Sequence, residues 1–195
     1  MKLIDLSHPI NEKMSTYPTD PKVSILKEKN IDSDGTLLHR FSMGTHTGTH
    51  IDVPAHIIPN GKKLHNYPLK TFTGTAIKVD NNCYRKINEL EENLDGIIYD
   101  TGWYKYYENS NTFFGDKRPV IPEKLVHIAI NLELKFFGCD LPSVDESGSS
   151  EKPVHNALLK SDIIIYETLT NLNELPMLKP FSFFGFPLAF TDLDG

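Results

Sequence analysis

Short runs of β-branched and aromatic residues recur along this chain of 195 residues. They stand at 23-VSIL-26, 37-LLHRFSMG-44, 73-TGTAIKVD-80, 96-GIIYDTG-102, 134-LKFFG-138, 163-IIIYETL-169 and 181-FSFFGFPLAF-190. Runs of that length and composition predict strands. Between them, 86-KINELEEN-93, 122-PEKLVHIAI-130, with Pro122 at a first-turn position, and 153-PVHNALLKS-161 predict helices. From about residue 73 onward strands and helices alternate, which is the pattern of an α/β fold. The polar, Ser-rich stretch 143-SVDESGSSEKP-153 reads as a surface loop and not a domain boundary, and the length suits one domain over residues 1–195. Two of the apolar strands end in carboxylates, Asp100 after GIIY and Glu167 after IIIY. Ligand sites of α/β sheets lie at such carboxyl ends.

One stretch follows a different rule. In 44-GTHTGTHIDVP-54, followed by Ala55 and His56, the even positions from 46 to 56 are His, Gly, His, Asp, Pro and His, and the odd positions between them are Thr, Thr, Ile, Val and Ala. Every chemically active group therefore falls on one side of a period of two. A helix would turn Asp52 roughly 200° away from His50, and Gly48 and Pro54 are poor helix-interior residues. A straight strand fails for another reason. At ~3.3 Å per residue it would hold His46 and His50 roughly 13 Å apart, too far for both imidazoles to reach one ion at ~2.1 Å. The expectation is a bent strand or loop in which Gly48 supplies the bend, Pro54 ends the ladder, and His46, His50 and Asp52 converge on a metal. Imidazoles with a carboxylate select Zn²⁺, Mn²⁺ or Fe²⁺ over Ca²⁺ or Mg²⁺, and the lack of thiolates favours a catalytic over a closed structural site.

Charge and composition narrow the setting. The formal net charge is −6, and the three arginines, Arg40, Arg85 and Arg118, form no cluster in the sequence. A nucleic-acid partner is not expected, because a phosphate backbone is bound through clustered Lys and Arg. The opening MKLIDLSHPI meets Asp5 and His8 before a secretory apolar core forms, and 181–190 is about half a membrane span, so a soluble, cytoplasmic protein without a membrane partner is expected. Cys83 and Cys139 lie far apart with no CxxC, which excludes a zinc ribbon and fits free thiols in a reducing compartment.

GTHTGTHIDVPAH, together with 137-FGCDLPSVD-145, 155-HNALLKSDIIIYETLTNLNEL-175 and the opening 3-LIDLSHPI-10, resembles the cyclase family of metal-dependent hydrolases, which includes bacterial kynurenine formamidase and isatin hydrolase. The resemblance runs through nearly the whole chain and centres on HxGTHxDxPxH, with a second histidine followed twelve residues later by a glutamate, His155 and Glu167. It implies a swivelling β/β/α domain with a mixed sheet and flanking helices. It implies two divalent ions, Zn first and Mn as the alternative: His46, His50 and Asp52 on the first, His155 on the second, and Asp52 and Glu167 bridging both. His56 falls at the position of the proton-transferring histidine, and Tyr17, in 17-YPTDP-21, near where bacterial kynurenine formamidases place a tryptophan against an aromatic substrate. The sequence stops at Gly195, where relatives often continue with a short Ser-Pro-Val-Arg-Ala-like tail.

The implied function is hydrolysis of a small, aromatic, linear amide such as an aryl formamide, by a homodimer or higher homo-oligomer. Ring opening of a cyclic amide of isatin type and non-catalytic metal or ligand binding are the alternatives. Two ions against two carboxylates and neutral imidazoles leave a net positive site, which would lower the pKa of bound water, and a histidine of pKa about 6.5 suits protonation of a leaving nitrogen. His39, His65 and His127 match no catalytic position, while His8 and Trp103 remain open.

Overall fold

Four apolar runs of the sequence lie side by side as parallel strands at the centre of the computed structural model, which describes residues 2–90 and 93–195. In chain order the strands are β1 (Ser24–Lys29), β2 (Leu38–Ser42), β3 (His50–Asp52), β4 (Thr73–Val79), β5 (Gly96–Tyr99), β6 (Phe136–Cys139), β7 (Ile164–Glu167) and β8 (Pro180–Phe184). The helices are α1 (Ile31–Asp34), α2 (Ser110–Phe113), α3 (Glu123–Asn131) and α4 (Pro153–Lys160), joined by short 3₁₀ segments. Strands β3 to β8 form one mixed sheet in the order β3-β7-β6-β5-β4-β8. Within it β4, β5, β6 and β7 are parallel, while β3 and β8 run antiparallel at the two edges. Strands β1 and β2 pair separately as an antiparallel ribbon.

The central strands are apolar without alternation because both faces of the sheet are covered. On one face Ile77, Val79, Ile97, Phe137 and Ile165 pack against Leu125, Val126, Ile128 and Ala129 of α3 and Leu158 and Leu159 of α4. On the other, Ala76, Ile98, Phe136, Ile164 and Tyr166 meet Val53, Leu64, Phe72, Leu172 and Phe183 from loops and edge strands. Helix α3 buries two adjacent pairs, 125–126 and 128–129, and turns His127 to solvent, the stripe expected of a core-facing helix.

Several predicted boundaries move, each for a local reason. The run 181–190 is a strand only through Phe184, since its ladder with β4 ends at the Thr73↔Phe184 pair where β4 begins. Pro187 lacks the N–H to extend it. Pro122 stands just before α3 as its N-cap instead of inside the first turn. The predicted helix over 86–93 is a 3₁₀ segment, Tyr84–Glu89, and residues 91 and 92 lie outside the described residues. Asp100 is no part of the site that gathers at β3 and β7: its carboxylate accepts from the Gly102 amide and faces Lys78 Nζ at 3.4 Å.

Candidate metal centre

The bend of the histidine motif is made at one residue. Gly48 has φ +63°, a left-handed conformation that glycine adopts without cost, and a Cβ there would come within 2.7 Å of the Met14 methyl. Only His50–Asp52 is strand, and His46 lies in the preceding turn. The interleaved threonines tie this turn down: Thr47 Oγ1 donates to the Gly44 carbonyl at 2.8 Å and Thr49 Oγ1 to the Thr168 carbonyl at 2.6 Å. The imidazoles of His46 and His50 thereby stand edge to face, 5.0 Å between ring centroids.

Sheet register brings the second half of the site to the first. β3 pairs with β7 so that His50 lies opposite Glu167. Helix α4 carries His155 on the same face as Leu158 and Leu159, so the packing that buries the helix drives this imidazole toward Asp52 and Glu167. Asp52 stands between the three rings. Its Oδ1 is 2.7 Å from His46 Nδ1 and 3.3 Å from His50 Nε2, and its Oδ2 is 3.2 Å from His155 Nε2. Glu167 offers Oε1 at 3.4 Å to His155 Nε2 and Oε2 at 3.5 Å to His50 Nε2. Asp52, His155 and Glu167 are all buried.

Each ring is also held from behind. His50 Nδ1 donates to the Gly48 carbonyl at 2.9 Å, which leaves Nε2 facing the carboxylates. His155 Nδ1 meets Asp145 Oδ2 at 2.5 Å, and His46 Nε2 meets Asp194 Oδ2 at 3.0 Å. Such outer partners fix the tautomer and orientation of metal-binding imidazoles. Asp145 is itself fixed by the amides of Val154 and His155, and Asp194 by Thr45 Oγ1. Sequence reasoning named neither aspartate. Asp145 closes a segment already quoted for the family resemblance, while Asp194 carries no local signal.

The electrostatics follow from two buried carboxylates among imidazoles. Burial lowers the pKa of His155, but hydrogen bonds with Asp145, Asp52 and Glu167 outweigh it and hold the group at about 12. His50 is likewise held at about 10, burial being outweighed by Asp52 and Glu167. Asp52 lies well below the ordinary carboxylate range, because His50, His155 and His46 overcome its burial. Glu167 is also lowered: His155 and His50 outweigh burial and the repulsion of Asp52. The cluster therefore stabilises positive charge at its centre.

His56 ends a 3₁₀ turn, Pro54–His56, beside this cluster, 4.1 Å from His46 and 5.7 Å from His155 between ring centroids. Its pKa is lowered, chiefly by burial. Donor atoms of His46, Asp52 and His56 all lie within 4.8 Å of one another, as do those of His50, Asp52 and Glu167. Above the cluster opens a cavity of about 370 Å³ whose wall includes Tyr17, Phe114, Arg118 and Lys152. Tyr17 packs edge to face on Phe114 at 5.5 Å.

The remaining candidates lie elsewhere. His8 stacks on Tyr107 at 3.6 Å, and burial pushes its pKa down to about 4. Trp103 donates from Nε1 to the Phe113 carbonyl at 3.0 Å. His39 and His127 are exposed, and exposed His65 accepts from the Asp192 amide.

Comparison with known proteins bears on this arrangement. The chain is 30% identical over 199 residues to kynurenine formamidase of Bacillus mycoides (strain KBAB4), covering 98% of this chain and 92% of that one. It is 31% identical over 184 residues to kynurenine formamidase of Salinibacter ruber (strain DSM 13855 / M31), covering 90% and 86%. Among solved structures, isatin hydrolase A from Labrenzia aggregata shares the fold with a TM-score of 0.82 at 19% identity, over 98% of this chain and 89% of that chain. A structure described as a potential metal-dependent hydrolase with cyclase activity gives 0.75 at 22% identity, over 99% and 92%. The family model described as "Putative cyclase" matches residues 4–146, which span the histidine motif and the central strands up to Asp145, and the chain belongs to that family.

Proposed function

We propose that this chain, acting as a single domain over residues 1–195, is a metal-dependent hydrolase of carbon–nitrogen bonds other than peptide bonds, with an aryl formamide as its substrate. The observation that supports this most is the convergence of three imidazoles and two carboxylates under one cavity, on a fold whose near full-length relatives are kynurenine formamidases. The donor set fits divalent transition ions: nitrogen and carboxylate oxygen without thiolate, buried, and with each far ring nitrogen anchored. In this reading His46, His50, Asp52 and Glu167 would hold one ion and His155, Asp52 and Glu167 a second, so that both carboxylates serve both ions, and Zn is the first choice with Mn as the alternative. Bound there, such ions would polarise an amide carbonyl and lower the pKa of water.

The protein's own groups do the rest. Gly48, Asp145 and Asp194 keep the rings aimed, so little reorganisation accompanies the reaction. His56 carries a proton toward the leaving nitrogen, which must be protonated before an amide can part. Its ring faces the cavity beside the ligands, and its Nδ1 lies 3.5 Å from Asp194 Oδ2, a partner able to fix its tautomer. Tyr17 with Phe114 gives the cavity an aromatic wall suited to a flat ring.

Assembly as a homodimer or higher oligomer is part of the reading. Leu26, Leu38 and Phe41 on the β1–β2 ribbon, Ile31 of α1 between those strands, and Phe184, Phe186, Leu188 and Phe190 near the end of the chain are all exposed, and large apolar side chains left in solvent in such number suit a surface that another copy covers. A cytoplasmic location is part of the reading as well; no helix among the described residues is long and apolar enough to cross a membrane.

A substrate panel on the metal-loaded protein tests the proposal: an aryl formamide, an alkyl formamide and isatin. Turnover of the aryl formamide is expected. Opening of isatin with inert formamides would replace this reading by the ring-opening one. Metal occupancy with no turnover on any of the three would leave a binding protein.

A further inference from the structure

We infer that Cys83 and Met177 form a second metal site, apart from the histidine cluster, whose thiol and thioether together bind a soft monovalent ion, copper(I). The inference is independent of the hydrolase reading and uses none of its residues.

The two residues lie 94 apart in the sequence, and the fold brings their sulfurs to 3.5 Å. Met177 is carried to β4 by an isolated parallel bridge with Lys78, and the next amide, Leu178, donates to the Lys78 carbonyl at 3.0 Å. Directly after β4 the chain turns. The Asp80 carboxylate accepts from the amides of Asn82 and Cys83 at 2.9 and 3.0 Å, and the Asp80 carbonyl accepts from the Tyr84 amide at 3.0 Å. This turn holds the Cys83 thiol against Met177. Its Sγ also accepts from the Asp80 amide at 3.4 Å, a contact that favours a thiolate.

Exposure separates this thiol from the other one. Met177 is 37% exposed and Cys83 is half-buried, so both sulfurs stand at the surface. Cys139 is fully buried, with its thiol on the Leu141 carbonyl.

The donor pair selects the ion. Oxygen ligands suit Mg²⁺, Ca²⁺ and Mn²⁺, whereas thiolate with thioether suits copper(I). A structural zinc site takes four donors, and the groups of three or more His, Cys, Asp and Glu donors that gather among the described residues do not include Cys83. Copper(I) is satisfied by a pair of sulfurs. With metal–sulfur bonds of about 2.3 Å, an ion between the sulfurs holds them ~4.6 Å apart, so the pair opens by about 1 Å, within reach of the unbranched Met177 chain. On binding, Met177 Sδ donates a lone pair, copper replaces the proton on Cys83 Sγ, and that proton passes to solvent. The ion enters and stays as copper(I), so no electron is transferred. Strands β5, β6 and β7 lie between β4 and β3 in the sheet, so this site shares no ligand with the histidine cluster.

The test uses the full chain preloaded with zinc, titrated under argon with copper(I) held by the coloured chelator bicinchoninate. The wild-type chain is expected to withdraw one equivalent of copper, to keep its zinc, and to lose the alkylation of Cys83 by iodoacetamide, read by mass spectrometry. Cys83→Ser should withdraw none. Met177→Leu keeps the volume and removes the sulfur, and it should bind copper at least about tenfold more weakly, since a lost ligand costs no less than a lost outer partner.

A wild-type chain that leaves the copper on the chelator would overturn the proposal without recourse to any variant. So would copper uptake that persists in Cys83→Ser, or uptake that displaces zinc while Cys83 stays open to alkylation, either of which places the ion elsewhere. Equal copper affinity in Met177→Leu and the wild-type chain would overturn it as well, because the thiol would then act without the thioether.

Discussion

The floor and the wall of the cavity are built on opposite principles. On the floor, His46, His50 and His155 are each held at both ring nitrogens, and the carboxylates between them are buried. On the wall, Tyr17 is 38% exposed and rests edge to face on Phe114, and Arg118 Nε and Nη1 have no hydrogen-bond partner among the described residues. A floor whose polar groups are satisfied within the chain is specified by the fold itself. A wall with fewer partners inside the chain is held less tightly by the fold. The floor therefore reports the class of chemistry and the wall reports the substrate, and disturbing them should give different kinds of loss.

The largest expected effect is on the floor. Asp52 faces all three imidazoles, so Asp52→Ala, and with it Glu167→Ala, should empty the centre of metal, whereas His155→Ala should lose one ion in preference to the other. Elemental analysis of purified variants decides this. Full metal content in both carboxylate variants would remove the bridging role proposed for them.

Next in size is His56, which stands where floor meets wall. His56→Ala should keep its metal and lower the turnover number by about 10²–10⁴, the span of a positioned general acid or base. The closeness of His56 to His46 and Asp52 makes the opposite outcome informative: metal loss with His56→Ala would make it a ligand.

The outer anchors of the floor come third. Asp145→Asn and Asp194→Asn remove the carboxylate behind His155 and His46, and each should weaken metal affinity about 10–100-fold, measured by competition with a chelator. An unchanged affinity in Asp194→Asn would reduce that contact to a packing detail.

These anchors also mark the limit of what the sequence discloses. His46, His50, Asp52 and His56 were legible because they fall within eleven consecutive residues and because metal ligation admits few residue types. The period of two grouped them, although only His50–Asp52 is strand; the left-handed turn at Gly48, not a continuous pleat, puts His46 alongside. The parallel strands were legible from their unbroken apolar runs, and less so their ends, since β8 stops where its partner stops. Asp194 and Arg118 were not legible. Their partners lie 148 and 27 residues away in sequence, and a loop aspartate or arginine reads locally like any solvated charge.

Protonation separates the metal-free floor from the loaded one by a smaller step. His50 and His155 are held at about 10 and about 12 in the folded chain, and an imidazole must shed its proton to bind a metal, so affinity should fall about tenfold per pH unit below these values for each proton displaced. The sign for the metal-free fold is the reverse. A raised pKa contributes stability that is fully present below the unfolded value of about 6.5 and is lost as pH rises through the folded value. Melting temperatures should therefore decline from pH 7 to pH 10 without metal, while metal occupancy rises over the same range. Parallel trends in both measurements would contradict the protonated cluster.

The smallest effect belongs to the wall. Tyr17 already meets Phe114 edge to face, so a flat ring entering the cavity would find an aromatic surface in place, with roughly 0.5–1.5 kcal/mol beyond area burial from stacking. That contact is remote from the scissile bond and acts alike on ground and transition states, so Tyr17→Ala should raise the Michaelis constant about threefold to tenfold with the turnover number nearly unchanged. A floor residue would do the opposite, losing turnover before affinity. The contrast is sharpest with paired substrates: Tyr17→Ala should erase the preference for an aryl over an alkyl formamide while leaving the alkyl compound's kinetics in place. A fall in turnover on both compounds would move Tyr17 from the wall into the machinery that the floor supports, and equal use of both by the unaltered chain would mean that the wall does not select for the ring.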